Sequence, residues 1–488
     1  MAWGVLDDYK LTKVPGTTLF NKKGLDLADG VEVDPNIKKS GSIILIPQPS
    51  DSINDPLNWS LTRKNVIIWI LSIASGLTAS LGPMVTPGFG EVAATYHVSF
   101  NAVSISLVGV LTLVTGTFTF FTSAAATVWG KRPIFIISMV VLLMTSVWGF
   151  YATSFVSLTV MRAVQGAASA PVETLVTSTV SDIFFVHQRG QKLAIWGLAI
   201  LTGVLLGQVI SGAIIETMGF SADLISTENS RGHLYFGEKS AMEIEIQEIE
   251  PKKTFVETLS LYDGRVSDAG FWKIAIKPIQ LIVYPAVIVS TFVYASFQTW
   301  LISFSLLSVN IFSAPPYNLS SSQIGLTNLP QFFMGIAATM LAGWTADKIA
   351  AFMSRHNNGV YEPEFRLTLM IPAVFLSTIG FFGFGISVGQ GLPIYWPVAF
   401  MTINSLAVPF ATSANANQAF VTINFVKAIM VFAASSFING WLEMAGTRSV
   451  FTTIGFINAG VCMLAVPIYV YGKRLRSLIA RSSLAKKL

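Results

Sequence analysis

Apolar runs of about 20 residues recur along most of this chain, and each is the length a helix needs to cross about 30 Å of hydrocarbon. They fall near residues 65–87, 103–127, 133–151, 155–180, 193–217, 278–304, 324–345, 367–388, 394–412, 419–440 and 449–471. A backbone in lipid has no water to satisfy its N–H and C=O groups, so a repeated span of this length is a helix. The expected fold class is an all-α integral membrane protein with about 11 transmembrane spans. Composition agrees. Of 488 residues, 52% are hydrophobic and 12% charged, against about 25% charged in soluble domains, which excludes a soluble globular protein and a disordered one alike.

The net charge of +5 does not point to nucleic acid, because Lys and Arg sit in pairs between apolar runs, where a membrane protein keeps them. The one cysteine, Cys462, forms no internal disulfide and no C-x-x-C site, and four histidines without close pairing suggest no metal site. No P-loop, Gly-x-Ser-x-Gly or His-Glu-x-x-His is present, so neither a cofactor nor an enzyme activity is expected.

Residues 1–64 are polar and read as a flexible cytosolic N-terminal tail. It ends in Asp55-Pro56-Leu57-Asn58-Trp59 and Arg63-Lys64, an aromatic and two cations where a helix enters the headgroup region. Residues 65–220 read as a first membrane half of five clear spans, 221–277 as a polar central loop, 278–472 as a second half of six spans, and 473–488 as a basic cytosolic tail. Lys and Arg gather at Arg63-Lys64, Lys131-Arg132, Arg189, Lys192, Lys473, Arg474 and Arg476, whereas the connections 88–102, 152–154 and 305–323 carry none. The N-terminus is therefore expected in the cytosol. Charge counting then exposes a missing crossing. Five spans from a cytosolic start leave residue 221 outside, yet the second half is consistent only if Lys273 and Lys277 enter it from inside. A lost sixth helix, a weakly apolar crossing within 221–277 and an inverted second half are the alternatives. The last ranks lowest, because it would put Lys348 to Arg366 and the basic C-terminus outside.

Two helical halves joined by a long middle loop suit a secondary transporter, and particular words narrow the choice. They are Asp55-Pro56-Leu57-Asn58-Trp59, Gly130-Lys131-Arg132-Pro133, Arg162-Ala163-Val164-Gln165-Gly166, His187-Gln188-Arg189-Gly190, Phe312-Ser313-Ala314-Pro315-Pro316-Tyr317 and the string Asn357 to Arg366. Together these resemble the fungal drug:proton antiporter branch of the major facilitator superfamily, over nearly the whole chain from about residue 50. The resemblance implies the major facilitator fold, for which about 12 spans are expected, and transport by alternating access. It also implies a cytosolic gate, whose loop in the family reads Gly-x-x-x-Asp-Arg-x-Gly-Arg-Arg. Here Ser123 and Thr127 replace the first Gly and the Asp, while Gly130, Lys131 and Arg132 match. Asp182 sits at a span end, where headgroup-level exposure is the default expectation, with Arg189 as the alternative partner in that gate. A second copy carries Gly343, Asp347, Arg355, Glu362 and Arg366. The fifth-span motif, usually Gly-x-x-x-Gly-Pro-x-x-Gly-Gly, reads Gly203, Gly207, Gln208, Ser211, Gly212, so a helix-packing stripe survives without the helix-bending Pro. The sixth helix and the Pro-Glu-Thr word after it are absent, and the connection at 412–418 is shortened.

An ionisable group inside a span costs at least about 2.5 to 3.5 kcal/mol, so each needs a partner, water or a function. Arg162 and Glu173 lie about three helical turns apart in the run 155–180 and project from nearly the same face, with Gln165 and Ser169 beside them. This polar stripe is expected to line a central cavity, and the resemblance gives Arg162 a part in proton coupling or substrate recognition. Glu173 would exchange protons, meet a cationic substrate or hold a structural ion pair. Lys427 either snorkels to the surface or faces the cavity. Gln298, Trp300, Asn404 and Asn424 are further cavity candidates. Asn318 begins a glycosylation sequon in a connection expected outside.

The expected function is secondary active transport of small organic molecules, of the drug or secondary-metabolite efflux type and coupled to protons. Its expected partners are the lipid bilayer, a small organic substrate and protons, with the chain monomeric in the cell (plasma) membrane. Proton-coupled uptake of organic cations or polyamines is the nearer alternative. A non-transporting sensor or degenerate remnant is the other.

Overall fold

The computed structural model describes residues 3–6, 17–19, 38–40, 43–44, 47–50, 52, 55–220, 222–223, 264–265, 267, 270–280, 285–357, 360–414 and 420–481. The long helices are α1 (Leu61–Ser80), α2 (Val110–Trp129), α3 (Lys131–Phe150), α4 (Phe155–Ile183), α5 (Val186–Met218), α6 (Phe271–Gln280), α7 (Pro285–Ser313), α8 (Leu329–Arg355), α9 (Met370–Gly389), α10 (Tyr395–Ala414), α11 (Phe420–Met463) and α12 (Ala465–Arg481). Starts are written in the sequence. Ser60 accepts from the Arg63 amide, Ser154 from the Ser157 amide, and Ser320 with Gln323 closes a capping box on the short helix Ser321–Leu326.

Eight helical stretches of the described residues are long and apolar enough to cross a membrane. One of them, Val421–Arg481, contains a reversal: Gly446 at φ +74° divides α11, and the second part runs back along α9, with Arg448 against Gly389 and Phe451 against Gly385. α4 and α10 add helices of 29 and 20 residues outside that set. Each apolar run in the sequence overlaps a described helix, with one shift. The run expected from 278 is split, since the amphipathic α6 takes its first residues and α7 begins at Pro285. The side chains facing away from the bundle are apolar: Met144, Val156, Met340 and Phe375 are 64–71% exposed, as a lipid-facing surface requires.

Helices α1 to α5 form one bundle, in which α1 packs on α5 and α2 and α3 pack on α4. In the second bundle α7 packs on α11, and α10 on α8 and α9. Small residues set the closest approaches. A Cβ at Gly203 would stand 1.8 Å from the Gly76 carbonyl oxygen, so α1 and α5 touch backbone to backbone. Gly203→Ala is expected to cost about 1 to 3 kcal/mol through overpacking, read as a lowered melting temperature in detergent. Gly197→Ala, where a Cβ meets nothing within 4 Å, should leave the protein unchanged. Two further approaches join the bundles: Gly116 on α2 against Ala428 on α11, and Gly212 on α5 against the Ser321 carbonyl.

The ends of the bundle differ. Lys131, Arg189, Glu362 and Arg476 mark a basic end; Glu91, Glu216 and Tyr317 lie at the far end. Of the expected central loop, Ala222 and Asp223 are described at the far end, beyond the Gly219 terminus of α5. α6 is described at the basic end, with Phe271 stacked on Trp129. The described chain therefore stops and resumes on opposite faces, where charge counting asks for a further crossing; the intervening residues 224–263 lie outside the described residues, as do 415–418 of the shortened connection.

The N-terminal tail departs from expectation. Read as flexible, its described pieces are docked on the second bundle. Val5 is buried with Met353 and Phe365, the Leu6 amide donates to the Val470 carbonyl at 2.9 Å, and strand β1 (Thr18–Leu19) pairs antiparallel with β2 (Val360–Tyr361). The polar composition concealed one apolar anchor and a short backbone ladder.

Candidate functional site

The seam between α2 and α11 carries the central feature of the interior. Because Ala428 presses on Gly116, the adjacent Lys427 reaches across to α4, where its ammonium donates to Glu173 Oε1. This ion pair joins the two bundles. The Tyr294 phenol on α7, hydrogen-bonded to Gln298 one turn on, lies within the field of both charges. Four of the groups at this place come from α4, α7 and α11. Along the same two helices, Asn424 and Asn439 on α11 and Thr291, Thr299, Trp300 Nε1 and Ser303 on α7 are buried polar groups without a protein hydrogen-bond partner among the described residues. Buried polar atoms of this kind call for water or a solute.

A seal closes the far side of this region. Gln208 Oε1 on α5 accepts from Ser305 at 2.7 Å, from Asn328 at 3.2 Å and from Thr86 at 3.4 Å, so one amide ties the first bundle to α7 and α8. Further out, Glu216 accepts from the Ser320 hydroxyl at 2.8 Å and the Ser322 amide at 2.9 Å. Glu216 thus caps the short helix Ser321–Leu326, where its charge complements the helix N-terminus.

Arg162 is fully buried behind this seal. Its guanidinium donates to the Leu81 carbonyl at 3.0 Å and to Gln165 Oε1 at 2.8 Å. The counter-charge comes from an unexpected place. Asp223, four residues past Gly219, is folded back to full burial, accepts from Ser211 at 2.8 Å and feels the Arg162 charge. Burial pushes its carboxyl up to about 6, against the pull of the Ser211 hydrogen bond and of Arg162.

At the basic end, Gly130 at φ +89° turns the chain from α2 into α3 and carries Lys131 onto Asp182 at the end of α4. The alternative Asp182–Arg189 pair is not the one formed. Arg189 instead donates to the Ser181 carbonyl at 2.6 Å and the Phe184 carbonyl at 2.9 Å, satisfying the last carbonyls of α4. In the second bundle Glu362 is fully buried, with Lys473 at 2.7 Å, Arg476 at 2.9 Å and the Thr17 hydroxyl of the tail at 2.7 Å. Arg476 also grips both oxygens of Glu364, at 2.8 and 3.0 Å. Arg366 lies by Tyr361. Gly343, Asp347 and Arg355 stand apart from this cluster: Gly343 faces open space, and Asp347 is exposed.

Glu173, Lys427 and Gln298 are thus brought together, with Asn424 one turn from Lys427. Arg162 and Gln165 sit further along α4 toward the far end. Ser169 bonds Thr115 at 2.9 Å within the first bundle, Asn404 packs on Gly380 between α9 and α10, and the Trp300 ring lies in the aromatic core with Phe304. Gly207 meets Ser80 of α1. Asn318 lies in the far-end connection before Ser320. Sequence reasoning missed Asp223 and Tyr294, and read Arg476 only as one cation of the basic C-terminal cluster. A spacing of four between Tyr294 and Gln298 was the available signal for one of them.

The description "Major Facilitator Superfamily" belongs to the family model that matches residues 67–226. An uncharacterized MFS-type transporter of Schizosaccharomyces pombe is 23% identical over 97% of this chain and 94% of its own. Protein HOL1 of Saccharomyces cerevisiae is 23% identical over 95% of each chain. Among solved structures, a D-xylose-proton symporter shares the fold at a TM-score of 0.60 and 14% identity, over 84% of this chain and 99% of that one. With two helical bundles meeting along α2–α11 and α5–α8, this chain is a multi-pass membrane protein that resembles, over nearly its whole length, the secondary transporters of the major facilitator superfamily.

Proposed function

We propose that the chain is a proton-coupled exporter of small amphipathic organic molecules, with the basic end facing the cytosol of a cell whose plasma membrane holds it. The observation that carries this reading is the Lys427–Glu173 pair across the two bundles. Alternating access requires the bundles to part and meet again, so a pair that spans them has to be opened in each cycle. Opening an ion pair in a low-dielectric interior leaves two uncompensated charges. A proton on Glu173 removes one of them, and a solute that contacts Lys427, Tyr294 and Gln298 offsets the other. The positive-inside distribution supports the orientation, and the resemblance in sequence to drug:proton antiporters supports export. The gate residues Gly130, Lys131, Arg132 and Asp182 at one bundle and Glu362 and Arg366 at the other would hold the cytosolic side.

Glu173→Gln, inserted at normal abundance, should lose gradient-driven transport while collapse of the proton gradient abolishes transport in the parent protein. Full gradient-driven transport by Glu173→Gln rejects the assignment.

One observation favours a second reading. The group that occupies Glu173 is a primary alkylammonium, Lys427, so an amine or polyamine substrate could take its place on the carboxylate, which suits uptake of organic cations. In that case Lys427→Met should tighten binding of amine substrates; under the export reading it should not.

A further inference from the structure

The far-end seal has a charged pin behind it. Phe220 packs on Gly88, the Ser211 hydroxyl donates to Asp223, and Arg162 places its buried guanidinium in the field of the same carboxylate. Ser211 lies one turn from Gln208, the amide that ties Ser305, Asn328 and Thr86 together across the bundles. The segment after α5 is thus held to the first bundle by the Phe220 ring on Gly88, the Glu91 carboxylate and the buried Asp223, the last of them beside the point where the first bundle grips the second. Of the charged groups packed around it, α4 contributes Arg162, and the helix Phe89–Tyr96 contributes Glu91, whose carboxylate accepts from the Phe220 amide at 3.4 Å. α5 contributes the neutral Ser211, and the turn Pro83–Gly88 contributes the Met84 carbonyl.

We propose that Asp223 is a second proton-binding group of the transporter, and that its protonation releases the segment from Arg162 and loosens the far-end seal. The inference deepens the reading of the chain as proton-coupled, and it assigns to the outer gate a group different from Glu173. A protonated Asp223 keeps its hydrogen bond with Ser211 but loses its attraction to Arg162. The seal then rests on the neutral Gln208 network and the more distant Glu216 cap, without the charged anchor beside Ser211. Proton binding and seal opening are coupled by the same free energy in both directions.

The test uses the full-length protein in lipid nanodiscs with Cys462 replaced by Ser and Thr86 replaced by Cys, labelled by a soluble maleimide across a pH series and corrected for intrinsic thiol ionisation with an exposed reference cysteine. The corrected rate should be highest at acid pH and fall about tenfold per pH unit on the alkaline side of the titration, as the protonated fraction does. Asp223→Asn should label at the acid rate throughout. Infrared difference spectra of the same samples should show a protonated-carboxyl stretch that Asp223→Asn removes and Glu173→Gln leaves in place. Arg162→Gln should move that titration to higher pH, since the cation favours the ionised carboxyl, whereas Arg162→Lys should keep it. A pH-independent corrected rate, a carboxyl stretch untouched by Asp223→Asn, or a titration indifferent to Arg162→Gln overturns the proposal. Failure of the Glu173 reading is seen separately, as gradient-driven transport that survives Glu173→Gln.

Discussion

Arg476→Ala should lower the stability of the protein by about 3 to 5 kcal/mol, the cost of removing one partner from a buried ion pair. Two carboxylates depend on this side chain. Glu362 is fully buried and Glu364 is 5% exposed, and Arg476 donates to both. Lys473 remains on Glu362 after the substitution, but Glu364 loses the two-pronged contact that neutralises it. The Glu364 carboxyl packs directly on Gly472, 2.5 Å from where a Cβ would stand, so the glycine is what lets α12 come this close to the buried carboxylate. Arg476→Lys keeps the charge without the planar fork and should recover part of the loss. Thr17→Ala removes one neutral donor from Glu362 and should cost about 1 kcal/mol. Detergent unfolding curves of the three variants give the order Arg476→Ala, then Arg476→Lys, then Thr17→Ala. Equal losses for the two arginine variants would mean that the paired geometry, and not the charge alone, holds the cluster.

The helices were legible because lipid leaves a backbone few choices: a run of the right length has to be helical, and each run overlaps a described helix. What lipid does not dictate was harder to read. Pro278 and the Lys273, Lys277 pair are signals of an interfacial helix, yet the apolar residues beyond them drew the span start forward by several residues. Partners across the bundles were illegible in principle. Glu173 and Lys427 were each found as charges in spans, but they are 254 positions apart, and no local spacing reports such a distance. Asp182 found Lys131 because the Gly130 turn aims α3 at the end of α4, while Arg189 was nearer to bare helix carbonyls than to any carboxylate. Asp223 was the least visible of all. It sits in a segment whose polarity reads as loop, and its burial follows from Arg162, a charge that could not be left alone inside the bundle.

The same logic, that a buried charge needs its partner, gives the sharpest test of the central pair. Lys427→Met leaves the Glu173 carboxylate in the interior without its cation, and Glu173→Gln leaves the ammonium without its anion; each should cost about 3 to 5 kcal/mol unless the stranded group changes protonation. Glu173→Gln together with Lys427→Met strands nothing. The double variant should therefore be more stable than either single one, with a coupling of about 0.5 to 3 kcal/mol measured as a double-mutant cycle in detergent. Transport then separates the roles of the pair. If the charges serve only to hold α4 against α11, the neutral double variant regains transport along with stability. If Glu173 carries the proton, the double variant recovers its stability and its place in the membrane but remains unable to use a proton gradient, because no carboxyl is left at the seam to load and unload. A double variant that transports against its substrate gradient at the parent rate would assign the pair to architecture and send the search for the proton site elsewhere in the bundle.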